Sequence, residues 1–338
     1  MTVNPALEKF VRSIPLFELV GEEHLTELLR LLRQVNLTPG EVLFRQGDRG
    51  NAMWVLGPGT QVALSVRRDG LEVPLTTLGT NETLGEMALI DDGQRSATAT
   101  VLTSGLAYRI EGVDFDVLRN EMKPAAFGIL RKMAADLCGR LRMVSVQIVP
   151  EGTGKPDEGA VDLGEGKAIH SSTLESFGPL KDTPATGRLA LAQKLTEHQL
   201  TAGQAVFHEG ASSDGIYFLV SGEIETRRRG KGYLSLGPGN MFGLVSVIDG
   251  GLRSGTCVAR SDAIVWRLLQ PDFERLFSAG HRFAYRLVEL VARQLASNVR
   301  QANATLVGKG DEPPAVPTDE SLSSLDLGLD LVFEKMMA

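Results

Sequence analysis

Residues 84–98 read LGEMALIDDGQRSAT, and this stretch decides the fold. Glu86 directly follows Gly85. A short apolar turn runs over Met87, Ala88, Leu89 and Ile90, a polar loop follows, and Arg95 and Ser96 then lead into small alternating residues. That is the order of a strand ending in glycine, one helical turn with free N-terminal amides, and an arginine returning on the next strand. Free amides at a helix start attract an anion, and a guanidinium binds phosphate through charge-assisted hydrogen bonds. Glu86 does not suit a phosphate directly, because like charges at close range repel. Accepting a sugar hydroxyl or orienting Arg95 suits it, and a ribose bearing a phosphate satisfies both residues. The same residues also fit a plain Glu86–Arg95 ion pair at a sheet end, with Gly85 merely permitting a turn.

Working outward, the flanking sequence predicts short strands. Val42 to Phe44, Met53 to Leu56, the alternating Val62, Leu64 and Val66, and Leu75 to Leu78 precede the stretch, with a hairpin signal at Asp69-Gly70. Ala97 to Val101 and Leu106 to Ile110 follow it. Eight short strands with glycine-rich turns imply a barrel or jelly roll. Helices are predicted on either side: residues 4 to 33 carry Leu7, Phe10 and Val11, then Leu25, Leu28, Leu29 and Leu32, at helical spacing, and a helix begins near Val113 with Phe115 and Leu118 on one face. A longer helix from about Pro124 to Val149 places Phe127, Leu130, Ala134, Leu137, Leu141, Val144 and Ile148 along a coiled-coil seam. Such a seam either meets a second copy, predicting a homodimer, or lies on the protein's own barrel.

After Pro150 the composition shifts to Gly, Glu, Asp and Pro with almost nothing to bury, which predicts a flexible linker over residues 150–175. The first pattern then returns. Phe44 and Gly47 recur as Phe207 and Gly210 at one spacing, and Gly85, Arg95, Ser96 and Phe115 recur as Gly243, Arg253, Ser254 and Phe273 at a shorter one. A hairpin compressed to Gly230-Lys231-Gly232 accounts for the difference. An internal repeat preserving this order predicts two tandem domains: residues 1–149 and 176–306, followed by a tether and docking peptide over 307–338. The expected class is α+β, two tandem eight-stranded jelly-roll barrels each flanked by N-terminal and C-terminal helices.

The 84–98 stretch resembles the phosphate-binding cassette of cyclic nucleotide-binding domains, the family of bacterial catabolite activators and of the regulatory subunits of cyclic-AMP-dependent protein kinase. The resemblance covers about residues 5 to 305. It implies that Glu86 and the Gly85 amide take the ribose 2'-hydroxyl, and that Arg95 with the amides of Ala88 and Ser96 takes the exocyclic phosphate oxygens. Leu84 and Gln94 stand where the family usually has Phe and Pro, departures that touch packing and loop stiffness rather than ligand groups. The second cassette keeps Gly243, Arg253 and Ser254 but has Leu244 in place of Glu86. A buried hydroxyl left without an acceptor costs about 1–3 kcal/mol, so this site is expected to be degenerate. Arg253 there either holds an anion, reaches an acid, or packs its stem on the barrel. For the base, the polar residue that some relatives offer from the long helix is Val144 here, beside Ser145.

Composition narrows the function further. With 338 residues and a formal charge of −7, nucleic acid and an anionic membrane are unfavoured as main partners. Cys138 and Cys257, far apart in sequence, fit two buried thiols in a reducing, cytoplasmic setting. No run is long and apolar enough to span a bilayer. The five histidines form no metal-ligand cluster, and no Walker-type loop or nucleophile elbow is present, so neither an enzyme nor a cofactor is expected. Set against those relatives, no winged helix is expected after either long helix and no kinase-type docking segment before the first domain helix. Arg227, Arg228 and Arg229 resemble a basic substrate-like run but lie in a predicted hairpin, where a solvated face is expected. Leu325, Leu327, Leu329 and Leu331 alternate in the 321–338 tail, which either docks a protein partner or folds back on the chain. Two functions follow: a non-enzymatic receptor for a cyclic nucleotide, cyclic AMP ahead of cyclic GMP, that regulates a protein partner through helix movement, or a constitutive scaffold with a vestigial pocket.

Overall fold

A computed structural model of the chain describes residues 5–306, apart from 69–70, 91–92, 160, 182, 184 and 279–281. It divides into two compact units, Met1–Ala134 and Ala135–Ala338. In the first, helices α1 (Pro5–Arg12) and α2 (Leu25–Leu29) precede eight strands: β1 (Arg33–Leu37), β2 (Val42–Phe44), β3 (Ala52–Leu56), β4 (Gln61–Arg68), β5 (Leu71–Leu78), β6 (Thr83–Leu84), β7 (Thr98–Thr103) and β8 (Gly105–Glu111). Helices α3 (Gly112–Asn120) and α4 (Pro124–Ile148) follow. The strands form two antiparallel four-stranded sheets, ordered β1-β8-β3-β6 and β2-β7-β4-β5.

Side chains alternate across each strand, so every second residue points inward. Ala52, Trp54 and Leu56 of β3 join Leu37, Val62, Leu84, Ala99, Val101 and Ala107 in one core. The Asp69-Gly70 signal lies outside the described residues, and the strands beside it pair from Arg68 and Leu71.

The second unit repeats the plan. Short strand β9 (Lys167–Ala168) and helix α5 (Ala185–Ala192) lead into β10 (Leu195–Leu200), β11 (Ala205–Phe207), β12 (Gly215–Ser221), β13 (Ile224–Arg228), β14 (Lys231–Leu236) and β15 (Met241–Phe242). Helix α6 (Leu244–Asp249), β16 (Thr256–Ala259), β17 (Ala263–Leu269), α7 (Gln270–Ser278) and α8 (Arg282–Leu306) complete it. Its sheets run β11-β16-β13-β14 and β15-β12-β17-β10-β9. The compressed hairpin turns on Arg229 (φ 50°) and Gly230 (φ 76°) rather than on Gly230-Lys231-Gly232. Two successive positive φ values make the tight turn that matches strand twist.

Three expectations are revised. Residues 150–175, expected as a flexible linker, are tied to the second barrel: Arg229 Nη1 donates to Gly154 O at 3.4 Å, His198 Nδ1 lies 3.1 Å from Leu163 O, and β9 pairs with β10. This uses the basic run too, since Arg228 and Arg229 both engage Glu151 and Arg228 also meets Glu209. The α4 seam is covered within the chain, with Phe127, Leu130, Ala134, Leu137 and Leu141 buried and Val144 and Ile148 half-buried, so the homodimer loses the free seam on which it rested. The boundary between units also falls inside α4, which places Cys138 with Cys257 in the second unit, both buried and free. Burial pushes the Cys257 thiol up to about 12. Among the described residues, no helix is long and apolar enough to cross a membrane.

Candidate functional site

In the first cassette β6 ends at Leu84, and Gly85 reverses the chain with φ 76°. An L residue is strained there, and an added Cβ would also lie 2.4 Å from Arg95 Nη1 and 3.2 Å from Ala52 O. A 3₁₀ turn, Glu86–Leu89, follows, and its first residue is a buried carboxylate, 7% exposed. Arg95 is delivered by a brace of backbone bonds: its amide donates to Asp48 O at 2.7 Å, Gly47 N donates to Arg95 O at 2.9 Å, and Gly50 N to Gly93 O at 3.2 Å. The approach is close enough that a Cβ on Gly50 would stand 2.7 Å from Ala88 Cβ.

The Arg95 guanidinium points inward. Nη1 donates to Gly85 O at 3.0 Å and Nη2 to Ala52 O at 2.6 Å, while Cζ sits 4.2 Å from the Phe44 ring centroid and 5.5 Å from that of Trp54. Gly85, Glu86, Ala88 and Arg95 are thus brought to one turn, and Ser96 is exposed next to them. The Ala88 amide, expected on a phosphate oxygen, donates to Gly85 O at 3.1 Å. A 3₁₀ turn closes its bond after three residues, so that amide reaches a ligand only if the turn loosens. Ser145, beside the base-facing position expected on α4, donates its hydroxyl to Arg142 O at 2.7 Å.

The second cassette reproduces this frame residue for residue. Gly243 has φ 74°, Arg253 Nη1 donates to Gly243 O at 2.8 Å and Nη2 to Gly215 O at 2.8 Å, and Cζ lies 4.0 Å from the Phe207 centroid. Two acceptors are added. Ser246, at the place of Ala88, accepts from Nη1 at 2.9 Å, and Asp214, at the place of Asn51, accepts from Nη2 at 2.5 Å. Tyr217 donates its hydroxyl to the other Asp214 oxygen at 2.6 Å. Burial first, and that hydrogen bond second, push the Tyr217 phenol well above its ordinary range, so it stays a donor. Leu244, at the place of Glu86, is 2% exposed.

Helical cover completes the second site. Gln294 of α8 accepts from Met241 N at 3.0 Å and donates to Asn240 and Asn298, each at 2.9 Å. From α4, Arg142 grips Asp249 at the end of α6 through Nε–Oδ2 at 2.6 Å and Nη2–Oδ1 at 2.9 Å. A cavity of about 40 Å³ remains among Leu141, Phe242, Leu244, Arg253, Leu295 and Asn298.

Sequence reasoning missed Phe44 and Phe207, which stack on the two arginines, and Asp214 with Tyr217. The signal was present. The spacing that aligns Phe44 with Phe207 also sets Asp214 under Asn51.

The model of the cyclic nucleotide-binding domain matches residues 34–121 and 197–279, just over half of the chain. The cAMP-dependent protein kinase regulatory subunit of Yarrowia lipolytica is 25% identical over 275 residues, covering 80% of this chain and 61% of that protein. The type II regulatory subunit of Drosophila melanogaster is 23% identical, with the same coverage of 80% and 61%. The chain therefore spans about three fifths of the length of these two relatives. A solved regulatory domain of Toxoplasma gondii PKA with cAMP is 20% identical, covering 83% of this chain and 95% of that one, with a TM-score of 0.33.

Proposed function

The chain belongs to the cyclic nucleotide-binding domain family, as a tandem of two such domains, and from that premise we propose that it is a non-enzymatic cyclic nucleotide receptor with one ligand site per chain, in the first domain. The observation that carries the reading is the asymmetry of the two cassettes. Glu86 and Arg95 are buried beside Gly85, with neutral Asn51 at the rim, whereas the second cassette has Leu244 and a carboxylate already on its arginine. Glu86 and the Gly85 amide take the ribose 2'-hydroxyl. Arg95, with the amides of Ala88 and Ser96, takes the phosphate. Cyclic AMP is placed ahead of cyclic GMP. The relatives are named as regulatory subunits of a kinase, which makes a protein kinase the first partner class to test. Ligand binding acts on that partner by moving the helices that flank the barrel.

One observation favours the rival reading of a scaffold with a vestigial pocket: both terminal nitrogens of Arg95 already donate to backbone carbonyls, of Gly85 and Ala52. Isothermal titration of the full chain with cyclic AMP and then cyclic GMP separates the two. The receptor binds with a stoichiometry of one and the scaffold gives no binding heat with either nucleotide.

A further inference from the structure

We propose that the apolar side chains of β5 in the first barrel are the docking surface for this chain's own C-terminal segment, residues 321–338, which packs on them as a helix. The segment lies outside the described residues. The inference goes beyond the reading of the cassettes and does not rest on it.

Leu71, Val73 and Leu75 fall at every second position of β5 and are 71%, 38% and 55% exposed. Single exposed apolar residues are ordinary, whereas three along one strand point to an interaction surface. The second barrel shows what belongs there. Its β14 holds the same edge place in the sheet order, and Tyr233, Leu234 and Leu236 are buried, with α8 against the strand and Thr305 Oγ1 donating to Tyr233 O at 3.3 Å. The helix equivalent to α8 is α4, but from Ala135 onward α4 belongs to the second unit. Among the described residues, β5 is therefore left without the helical cover that its counterpart has.

Another strand does not suit this edge, because Pro74 removes a backbone donor in the middle of β5. A helix does, and the 321–338 segment carries its signals: Ser323 with Asp326 three residues on, Leu325, Leu329, Val332 and Met336 at helical spacing, and Lys335 in the last turn. Helices below about 12–15 residues are marginal alone, and Gly328 weakens this one further, so it needs an apolar surface to form. Charge agrees. Asp326, Asp330 and Glu334 recur every fourth residue, and Arg45 and Arg67 are both exposed near the start of β5: Arg67 stands across from Glu72, and its amide donates to Gln46 Oε1 at 2.7 Å. Residues 307–320 reach about 45–50 Å when extended, enough to cross a domain of about 130 residues, whose radius of gyration is about 14 Å.

Hydrogen–deuterium exchange on the full chain tests this. Amides of residues 325–336 should exchange at least about tenfold more slowly in the wild type than in Leu71→Ser/Leu75→Ser, the protection of a docked segment over a free one. Exchange of that segment at free-peptide rates in the wild type, or protection untouched by the β5 substitutions, overturns the proposal. The surface is read independently by a thiol reagent at Val73→Cys, since Cys138 and Cys257 are buried. Adding Leu325→Asp/Leu329→Asp should speed labelling at that position severalfold, and an equal rate overturns the proposal. Light scattering on the same samples identifies which copy supplies the segment. Protection in the monomer supports the proposal, and protection confined to dimers gives the surface to a second copy and overturns it.

Discussion

The two cassettes share a frame and differ in charge. Gly85 and Gly243 turn the chain with nearly the same φ, 76° and 74°, and each arginine donates to the carbonyl of its glycine and to that of the first residue of the barrel strand, Ala52 or Gly215. Each also lies about one van der Waals contact above a phenylalanine, at 4.2 and 4.0 Å from Phe44 and Phe207. What separates them is a handful of side chains around that frame: Glu86 against Leu244, Ala88 against Ser246, Asn51 against Asp214. An arginine retained in both repeats therefore does not by itself make a binding site. A buried guanidinium needs countercharge, and whether the chain or a ligand supplies it decides whether the residue serves stability or recognition.

The sharpest way to break this comparison is to remove each arginine and read stability and binding separately. Arg253→Ala opens the four hydrogen bonds of a buried guanidinium and leaves Asp214, 44% exposed, to Tyr217 and Arg267. It should destabilise the second domain by about 2 kcal/mol or more, at about 0.5–1.5 kcal/mol for each hydrogen bond lost, seen as a downward shift of one calorimetric transition. Nucleotide binding in the first domain should persist. If Arg95→Ala costs as much stability as Arg253→Ala, the division of roles is wrong.

Next in size is the loss of binding. Arg95→Ala should weaken cyclic AMP binding by about 1.5–3 kcal/mol, the worth of a charge-assisted hydrogen bond, with a smaller loss for Glu86→Ala. Unchanged affinity in both variants removes the first cassette as the ligand site.

The smallest effect concerns the helical cover of the second cassette. Burial raises the Asp249 carboxyl, but the Arg142 fork and the Gly251 amide outweigh it and hold the group below its ordinary value. A depressed carboxylate stabilises the fold at pH above its unfolded value of about 3.9, and this contribution disappears as pH falls through the folded value. Thermal melts between pH 2 and 5, a range of about three units around that value, should show a shallower acid loss for Asp249→Asn than for the wild type. Parallel acid limbs show that the Arg142–Asp249 pair does not contribute.

Much of the fold was legible from pattern. The strand expected at Val42 to Phe44 stands where the sequence places it, and the long helix expected over Pro124 to Val149 runs Pro124–Ile148, because apolar alternation and helical spacing are local properties of the chain. The two-residue strands β6, β9 and β15 were not legible, since two residues carry no period. The α4 seam was legible as a stripe but not as to what covers it. His198, one of the five histidines without a legible role in the sequence, is 2% exposed and engages Thr196 and the Leu163 carbonyl.

By itself, then, the sequence determined the tandem repeat, the α+β jelly-roll class, and a second cassette lacking the carboxylate of the first. These follow from residue order and spacing alone. Only the tertiary structure decided the countercharge of Arg253. Asp214 is 39 residues away in the chain, and the two meet because β12 begins beside the cassette when the barrel closes. An interaction of that kind depends on a few ångströms of separation and on burial, and neither is encoded in the local pattern of either residue.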